Sequence, residues 1–216
     1  QRYAIRRTQS YPSNKVLFDC LKDVMLGHFI IRPTLLFCSY PYLQTLLDFQ
    51  PVAPRLSTVL KQLLVCSQID DFLFYWLHRL CHVGIFYKYI HKQHHEFKHT
   101  VAIAVEWAHP VEEIFVNTVP TLLGPLLLQC HVTVFWLYIC LKLYQSIDAH
   151  SGFDLPFPLS PWTIKLLNMD CAPAHYFHHS ANIGNYGGFT MFWDWLCGTN
   201  VKYDVAMMKK SNMKGN

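Results

Sequence analysis

The sequence predicts an all-α, polytopic membrane protein of about four transmembrane or re-entrant helices, with a cytosolic helical cap carrying a histidine-rich di-metal site. Three observations lead there. Hydrophobic residues make up 52% of the 216 positions and charged residues 15%, against roughly 45–50% and about 25% in ordinary soluble domains. Apolar runs of helical length recur along the chain. The 13 His are clustered rather than scattered. The same composition excludes a disordered chain and a large multidomain assembly. A formal charge of +4, with no Lys/Arg stripe interleaved with aromatics, argues against nucleic acid and leaves membrane lipids as the partner. The eight Cys form no C-x-x-C pair, and several lie inside apolar runs, so they read as reduced small hydrophobes.

Residues 1–15 (QRYAIRRTQSYPSNK) form a polar N-terminal segment, too basic for a secretory signal, and the start at Gln1 rather than Met leaves room for an upstream segment. Residues 16–68 are expected to hold the N-terminal membrane helices. Val24 to Leu47 is apolar except for Arg32 before Pro33, and Leu56 to Leu77 is apolar apart from charged positions toward one face. The strongest apolar window, Ile114 to Leu141, contains no Asp, Glu, Lys or Arg. Its breaker cluster Pro120-Thr-Leu-Leu-Gly-Pro125 predicts a helical hairpin. A spanning helix takes about 20 residues, so either the arms begin in the 106–113 region and end later, or the hairpin inserts shallowly. Residues 148–216 are more polar, with a Gly/Asn-rich turn at Ile183-Gly-Asn-Tyr-Gly-Gly188, and read as the cap; 204–216 is a basic tail. Lys and Arg flank the polar ends of the runs, whereas the 48–55 connection carries only Arg55. The termini and the His groups therefore share the cytosolic side.

Three His groups carry the chemistry: His78-x-x-x-His82, His91-x-x-His94-His95 and His175-x-x-His178-His179, with His150 as a fourth position. Residues i, i+3 and i+4 share a helix face, so each triplet offers up to three imidazoles to one point. Eight imidazoles in the three groups exceed the four that one zinc takes, which implies two metals. All-imidazole ligation with open positions suits iron, copper or zinc. His28, His99 and His131 stand alone and read as single hydrogen-bonded residues near an interface. The hairpin returns the chain to its starting side, which lets His150 reach the same metals. Asp154, four residues on, is either a carboxylate ligand, a partner orienting an imidazole, or a turn residue. A zinc hydrolase would need Glu where Arg79 stands, and no G-x-S-x-G marks a serine nucleophile. A metal carrier would place His or acidic residues within its apolar runs, not at their ends.

The order H-x-x-x-H, H-x-x-H-H, H-x-x-H-H resembles the fatty acid hydroxylase superfamily of membrane di-iron oxygenases. The stretches Tyr87-Lys-Tyr-Ile-His-Lys-Gln-His-His-Glu-Phe97, Glu106-Trp-Ala-His-Pro110, Ile147-Asp-Ala-His-Ser-Gly-Phe-Asp154, Ile183-Gly-Asn-Tyr186 and Phe192-Trp-Asp-Trp-Leu-Cys-Gly-Thr199 resemble its C4-methylsterol monooxygenase branch. The resemblance runs from about Val16 to Tyr203, with 69–203 as the catalytic domain. It implies two Fe ions bound by His78, His82, His91, His94, His95, His150, His175, His178 and His179, with His109 either a ligand or a helix-end hydrogen bonder. The activity it implies is O2-dependent oxidation of a sterol C4 methyl through alcohol and aldehyde to carboxylate, which other C4-demethylation enzymes decarboxylate. Electrons would come from cytochrome b5 and an NAD(P)H-dependent reductase, and the location would be the endoplasmic reticulum membrane. Hydroxylation of another lipid (fatty acid, sphingoid base or cholesterol) and a non-catalytic scaffold are the alternatives. Three positions depart from the branch: Phe74 stands where it has His, Tyr176 where it has an acid, and 100–105 replaces its apolar segment.

Overall fold

Ser13 opens the first helix, its hydroxyl accepting from the Val16 N–H at 3.4 Å. Helix α1 runs Asn14–Leu26, a π-helical turn at Gly27–Ile31 follows, and α2 continues Arg32–Leu46. The wide turn, in which the Arg32 N–H reaches back to the Gly27 carbonyl, carries the chain past Pro33, which has no N–H to give. The charge inside this apolar run is paired. Arg32 Nη2 donates to Glu106 and, at 3.0 Å, to Glu113 Oε1, and its Nη1 meets His28 Nε2 at 2.8 Å. Cys20, Phe97, Ala104 and Trp107 form a small core beneath α1.

The computed structural model describes residues 4–5, 12–154 and 171–212. Helix α3 (Leu56–Cys81) buries Leu63, Cys66, Ser67, Asp70, Asp71, Tyr75, His78 and Cys81, a stripe recurring every three to four residues that passes from packing residues to the first His group. Alongside it lies α4 (Val119–Leu127), preceded by a turn of helix at Pro110–Glu112 and a π-helical stretch at Glu113–Thr118. The expected breaker cluster does not make the hairpin bend. Pro120, Gly124 and Pro125 are buried within α4 itself, and the chain turns at 128–131, where Gln129 takes φ 45°. Gly124 serves close packing instead: a Cβ there would lie 2.8 Å from the Cys66 Cα. Helix α5 (Val132–His150) then returns the chain, so that His150 at its end faces the same region as His78. At the opposite end, Asp48 bridges His131, whose Nδ1 accepts from the Thr133 N–H and whose Nε2 meets the Gln50 carbonyl at 2.8 Å.

A buried ion pair fastens α3 to α5. Lys142 Nζ donates to Asp70 Oδ1 at 2.9 Å, Tyr138 donates to Asp70 Oδ2 at 2.9 Å, and the ammonium sits 4.3 Å from the Phe189 ring centroid. Phe74, one of the three departures from the branch pattern, packs its ring 5.1 Å from that of His78 and against Gly188, where a Cβ would collide with it. Three further helices, α6 (Cys171–Ala181), α7 (Phe192–Cys197) and α8 (Val201–Asn212), form the cap. Among the described residues there is no strand, only isolated bridges. No described helix is long and apolar enough to cross a membrane. The N-terminal rod formed by α1 and α2 in succession is divided by the π-helical turn at Gly27–Ile31, and α3 carries Lys61, Asp70 and Asp71 within its span.

Candidate metal centre

The last turn of α3, the 87–96 segment, the end of α5 and α6 bring all nine box histidines together. They form two groups: His78, His82, His91, His95 and His178, and His94, His150, His175 and His179. Within each group the candidate ligand atoms lie within 4.8 Å of one another. The triplets do not each serve one point, as the spacing alone led us to expect; each is divided between both. His91 and His95 join the first group while His94 joins the second, and His178 joins the first while His175 and His179 join the second. On a helix, positions i+3 and i+4 point about 100° apart, so a triplet placed between two centres sends its rings to either side. The groups are contiguous, with the rings of His95 and His179 stacked at 4.7 Å and those of His91 and His94 stacked at 5.5 Å.

Six imidazoles are oriented by their Nδ1 atoms. These donate to the carbonyls of Tyr186 (from His78, 2.9 Å), Trp107 (from His94, 3.2 Å), Ser146 (from His150, 2.8 Å), Gly184 (from His178, 2.6 Å) and Phe97 (from His179, 3.1 Å), and to Glu112 Oε1 (from His91, 2.8 Å). A proton on Nδ1 leaves the Nε2 lone pair pointing inward. The Nε2 atoms accordingly crowd one another: His78 to His91 at 3.1 Å, His91 to His95 at 3.0 Å, His82 to His178 at 3.2 Å, His94 to His150 at 3.2 Å, His150 to His175 at 2.9 Å and His175 to His179 at 3.1 Å. In the His78–His91 and His94–His150 contacts both rings carry their proton on Nδ1, and the facing Nε2 lone pairs repel unless a cation lies between them. Burial holds the rings neutral: the His82 and His94 pKa values are pushed down to about 4 and that of His150 to about 3, chiefly by burial. Burial and the neighbouring imidazoles lower those of His78, His91, His95, His175, His178 and His179 as well. Neutral imidazole is the ligating form. The donor set fits metal ions.

The supporting turns explain the motifs outside the His boxes. Gly184 takes φ +64°, and a Cβ there would strike the Thr199 carbonyl; this conformation presents the Gly184 carbonyl to His178. Asp194 accepts from the N–H groups of Tyr186 and Gly187 at 2.8 and 2.7 Å and from the Thr199 hydroxyl at 2.6 Å, and Asp71 accepts from the N–H groups of Phe189 and Thr190. Both carboxylates hold the 183–190 turn that orients His78 and His178. A cavity of about 400 Å³ is lined by Ile183, Gly184, Tyr186, Gly198, Thr199, Val201 and Lys202, and so includes the Gly184 whose carbonyl accepts from His178.

Other sequence candidates fall elsewhere. His109 lies outside both groups and caps the helical turn at Pro110, its Nδ1 accepting from the Val111 N–H at 3.2 Å. Asp154 is exposed and also outside both groups. His99 pairs with the Tyr176 hydroxyl at 2.7 Å, and His28 with Arg32. Glu112 was not singled out from the sequence, where it read only as part of a helical arm. It is buried, and its second oxygen has no partner. The available signal was an acid in the first turn of a helix that continues into the most apolar stretch of the chain.

Residues 63–199 match the family model described as fatty acid hydroxylase. The chain belongs to this family. Within it, the chain is 37% identical over 203 residues to methylsterol monooxygenase 1 of Rattus norvegicus, covering 91% of this chain and 67% of the relative. It is 31% identical to the C-4 methylsterol oxidase of Candida albicans, covering 95% and 71%. It is also 32% identical to a very-long-chain aldehyde decarbonylase of Oryza sativa subsp. japonica, covering 94% and 67%. No solved structure matches significantly. As a member of the fatty acid hydroxylase family with such relatives, the chain is an oxygen-dependent oxidoreductase.

Proposed function

We propose that this protein is a membrane-bound di-iron monooxygenase that oxidises the C4 methyl group of sterol precursors to alcohol, aldehyde and carboxylate, using O2 and electrons from cytochrome b5 and an NAD(P)H-dependent reductase. The observation that carries this reading is the division of nine inward-facing imidazoles into two adjoining groups, in a chain whose relatives are named methylsterol monooxygenase and C-4 methylsterol oxidase. His78, His82, His91, His95 and His178 hold one iron and His94, His150, His175 and His179 the other. An unactivated methyl offers neither an acidic proton nor an electrophile, so side-chain acid–base chemistry has nothing to act on. Bound iron supplies the activation of O2 that such a C–H bond requires. The chain's own groups prepare the site. Carbonyls and Glu112 fix the ring orientations, burial keeps the imidazoles unprotonated, and Asp71 and Asp194 hold the turn that carries two of those carbonyls.

The substrate is a lipid, and the protein meets a bilayer through its N-terminal rod. Phe29, Leu35, Phe37 and Tyr42 on that rod are exposed, Phe37 to 82%. A run of exposed apolar residues marks a membrane or partner surface. We place the protein in the endoplasmic reticulum membrane, with 16–68 as its membrane-facing part, 69–203 as the catalytic domain and the His centre on the cytosolic side. The carboxylate product then passes to a decarboxylating enzyme of C4 demethylation.

The test is turnover of a 4,4-dimethyl sterol by the full chain in membranes supplied with cytochrome b5, its reductase and O2, followed by mass spectrometry. Hydroxymethyl, aldehyde and carboxylate products at C4 are expected. The rice relative motivates a second reading, aldehyde decarbonylation; conversion of a long-chain aldehyde without sterol oxidation would move the assignment there. Turnover only of a fatty acid, sphingoid base or cholesterol would make the protein a different lipid hydroxylase.

A further inference from the structure

A line of oxidisable rings leads from the His centre to the surface. The Tyr186 ring centroid lies 5.0 Å from that of His82, 5.6 Å from His178 and 5.8 Å from His78. Tyr75, fully buried, follows at 6.3 Å from Tyr186. Two indoles then continue the line, Trp76 at 5.3 Å and Trp193 at 6.4 Å from Tyr75. Trp76 is 42% exposed. All of these are aromatic contact distances, and every ring in the line is a phenol or indole, the aromatic side chains that give up one electron most readily to a strong oxidant.

Tyr75 is also equipped to release its proton. Arg79 donates to its oxygen at 3.1 Å, the phenol O–H is 3.2 Å from Thr199 Oγ1, and that hydroxyl donates to Asp194 Oδ1 at 2.6 Å. With the Arg79 N–H occupying one side of the phenol oxygen, the phenol proton points to Thr199, and a relay of two short transfers ends on a carboxylate. The Arg79 guanidinium lies 5.6 Å from the Trp76 ring centroid and disfavours a lasting positive charge on the indole. An electron leaving Trp76 is therefore accompanied by loss of its N–H proton to water.

We infer that Tyr186, Tyr75 and the Trp76/Trp193 pair form a discharge path that carries an oxidising equivalent out of the metal centre when O2 is activated without substrate in place. One electron leaves the Trp76 indole and its proton goes to water. The electron passes over Tyr75 and Tyr186 and reduces the oxidised centre by one electron. A small-molecule reductant such as ascorbate or a thiol returns one electron and one proton to the indole radical. The path does not serve the low-potential electrons of the catalytic cycle, because phenols and indoles exchange electrons only with strong oxidants. The inference rests on the iron-oxygenase reading above.

The experiment loads the full chain with ferrous iron, admits O2 without sterol and without reductant, and maps oxidised Trp by peptide mass spectrometry. Iron content and O2 consumption are recorded in the same samples. Trp195 and Trp136 are internal controls: they are 67% and 46% exposed, more than Trp76, and their ring neighbours are phenylalanines. The expected result is oxidation concentrated at Trp76 and Trp193, falling to the level of Trp136 in Tyr75→Phe, whose damage shifts inward to Tyr186 and the box histidines. Equal oxidation of Trp195 and Trp136 in the wild-type chain, or an unchanged pattern in Tyr75→Phe, would overturn the path while leaving the oxygenase reading intact. Absence of bound iron would overturn both. Should Tyr75→Phe not fold, the wild-type comparison of Trp76 and Trp193 with the two control indoles decides by itself.

Discussion

The Nδ1–H of His91 donates to Glu112 Oε1 at 2.8 Å, and both residues are almost entirely buried. Burial pushes the Glu112 carboxyl well above its ordinary range and the His91 imidazole below its own, so without a cation the contact is a neutral hydrogen bond and not an ion pair. A metal on His91 Nε2 reverses that preference by drawing negative charge toward the far side of the ring.

Glu112→Ala is therefore expected to weaken iron binding by about 10–100-fold, the usual effect of removing a partner that orients a ligating imidazole. Glu112→Gln keeps an acceptor oxygen and should lose less. Chelator competition with the purified variants measures both; unchanged affinity in Glu112→Ala would reduce the contact to packing.

Removal of one ligand should act differently from removal of a lone histidine. His178→Ala is expected to abolish turnover and release metal, because its Nε2 faces the first group from a ring fixed by Gly184. His99→Ala breaks the bond to Tyr176, outside both His groups, and should cost about 1 kcal/mol with turnover retained. Parallel assays of sterol oxidation and metal content check the contrast.

The metal-free protein should be acid-sensitive over a definite window. His82 and His94 have native pKa values of about 4 against an ordinary 6.5. Below 6.5 the unfolded chain takes up protons that the native site refuses, so stability is complete above that value and is lost as pH falls toward about 4. Thermal midpoints of the metal-free protein should be flat above about pH 7 and fall steadily below it. A midpoint that rises on acidification would contradict the burial of neutral imidazoles.

Lys142→Met leaves Asp70 buried with its charge uncompensated, which typically costs about 3–5 kcal/mol. A lowered thermal midpoint with the spectroscopic signature of the metal centre intact is expected, since neither residue touches the box histidines. An unchanged midpoint would show that the Lys142–Asp70 contact does not hold α3 to α5.

The metal-binding character of the chain was legible because His residues three and four apart stand on neighbouring faces of one helical segment and so can present several imidazoles to one region. The division of each triplet between two centres was not, since spacing fixes the angle between two rings but not where the neighbouring helices stand. The return of His150 followed from the hairpin, yet the place of the bend did not: Pro120 and Pro125 suit a turn, but Pro120 lies in the first turn of α4, and Gly124 is used for close approach to Cys66. Arg32 looked like a break in an apolar run, while its carboxylate partners lie 74 and 81 residues away. Glu112 was invisible for the same reason. A buried acid is recognisable only when the ring it serves is known.

The most direct measurement is the iron content of the purified full chain, alongside His94→Ala and His178→Ala, one variant for each group. The account predicts about two irons per wild-type chain, as nine imidazoles exceed the capacity of one four-coordinate ion, and loss of iron in each variant. Wild-type protein holding no iron, or variants that keep a full complement, would contradict it.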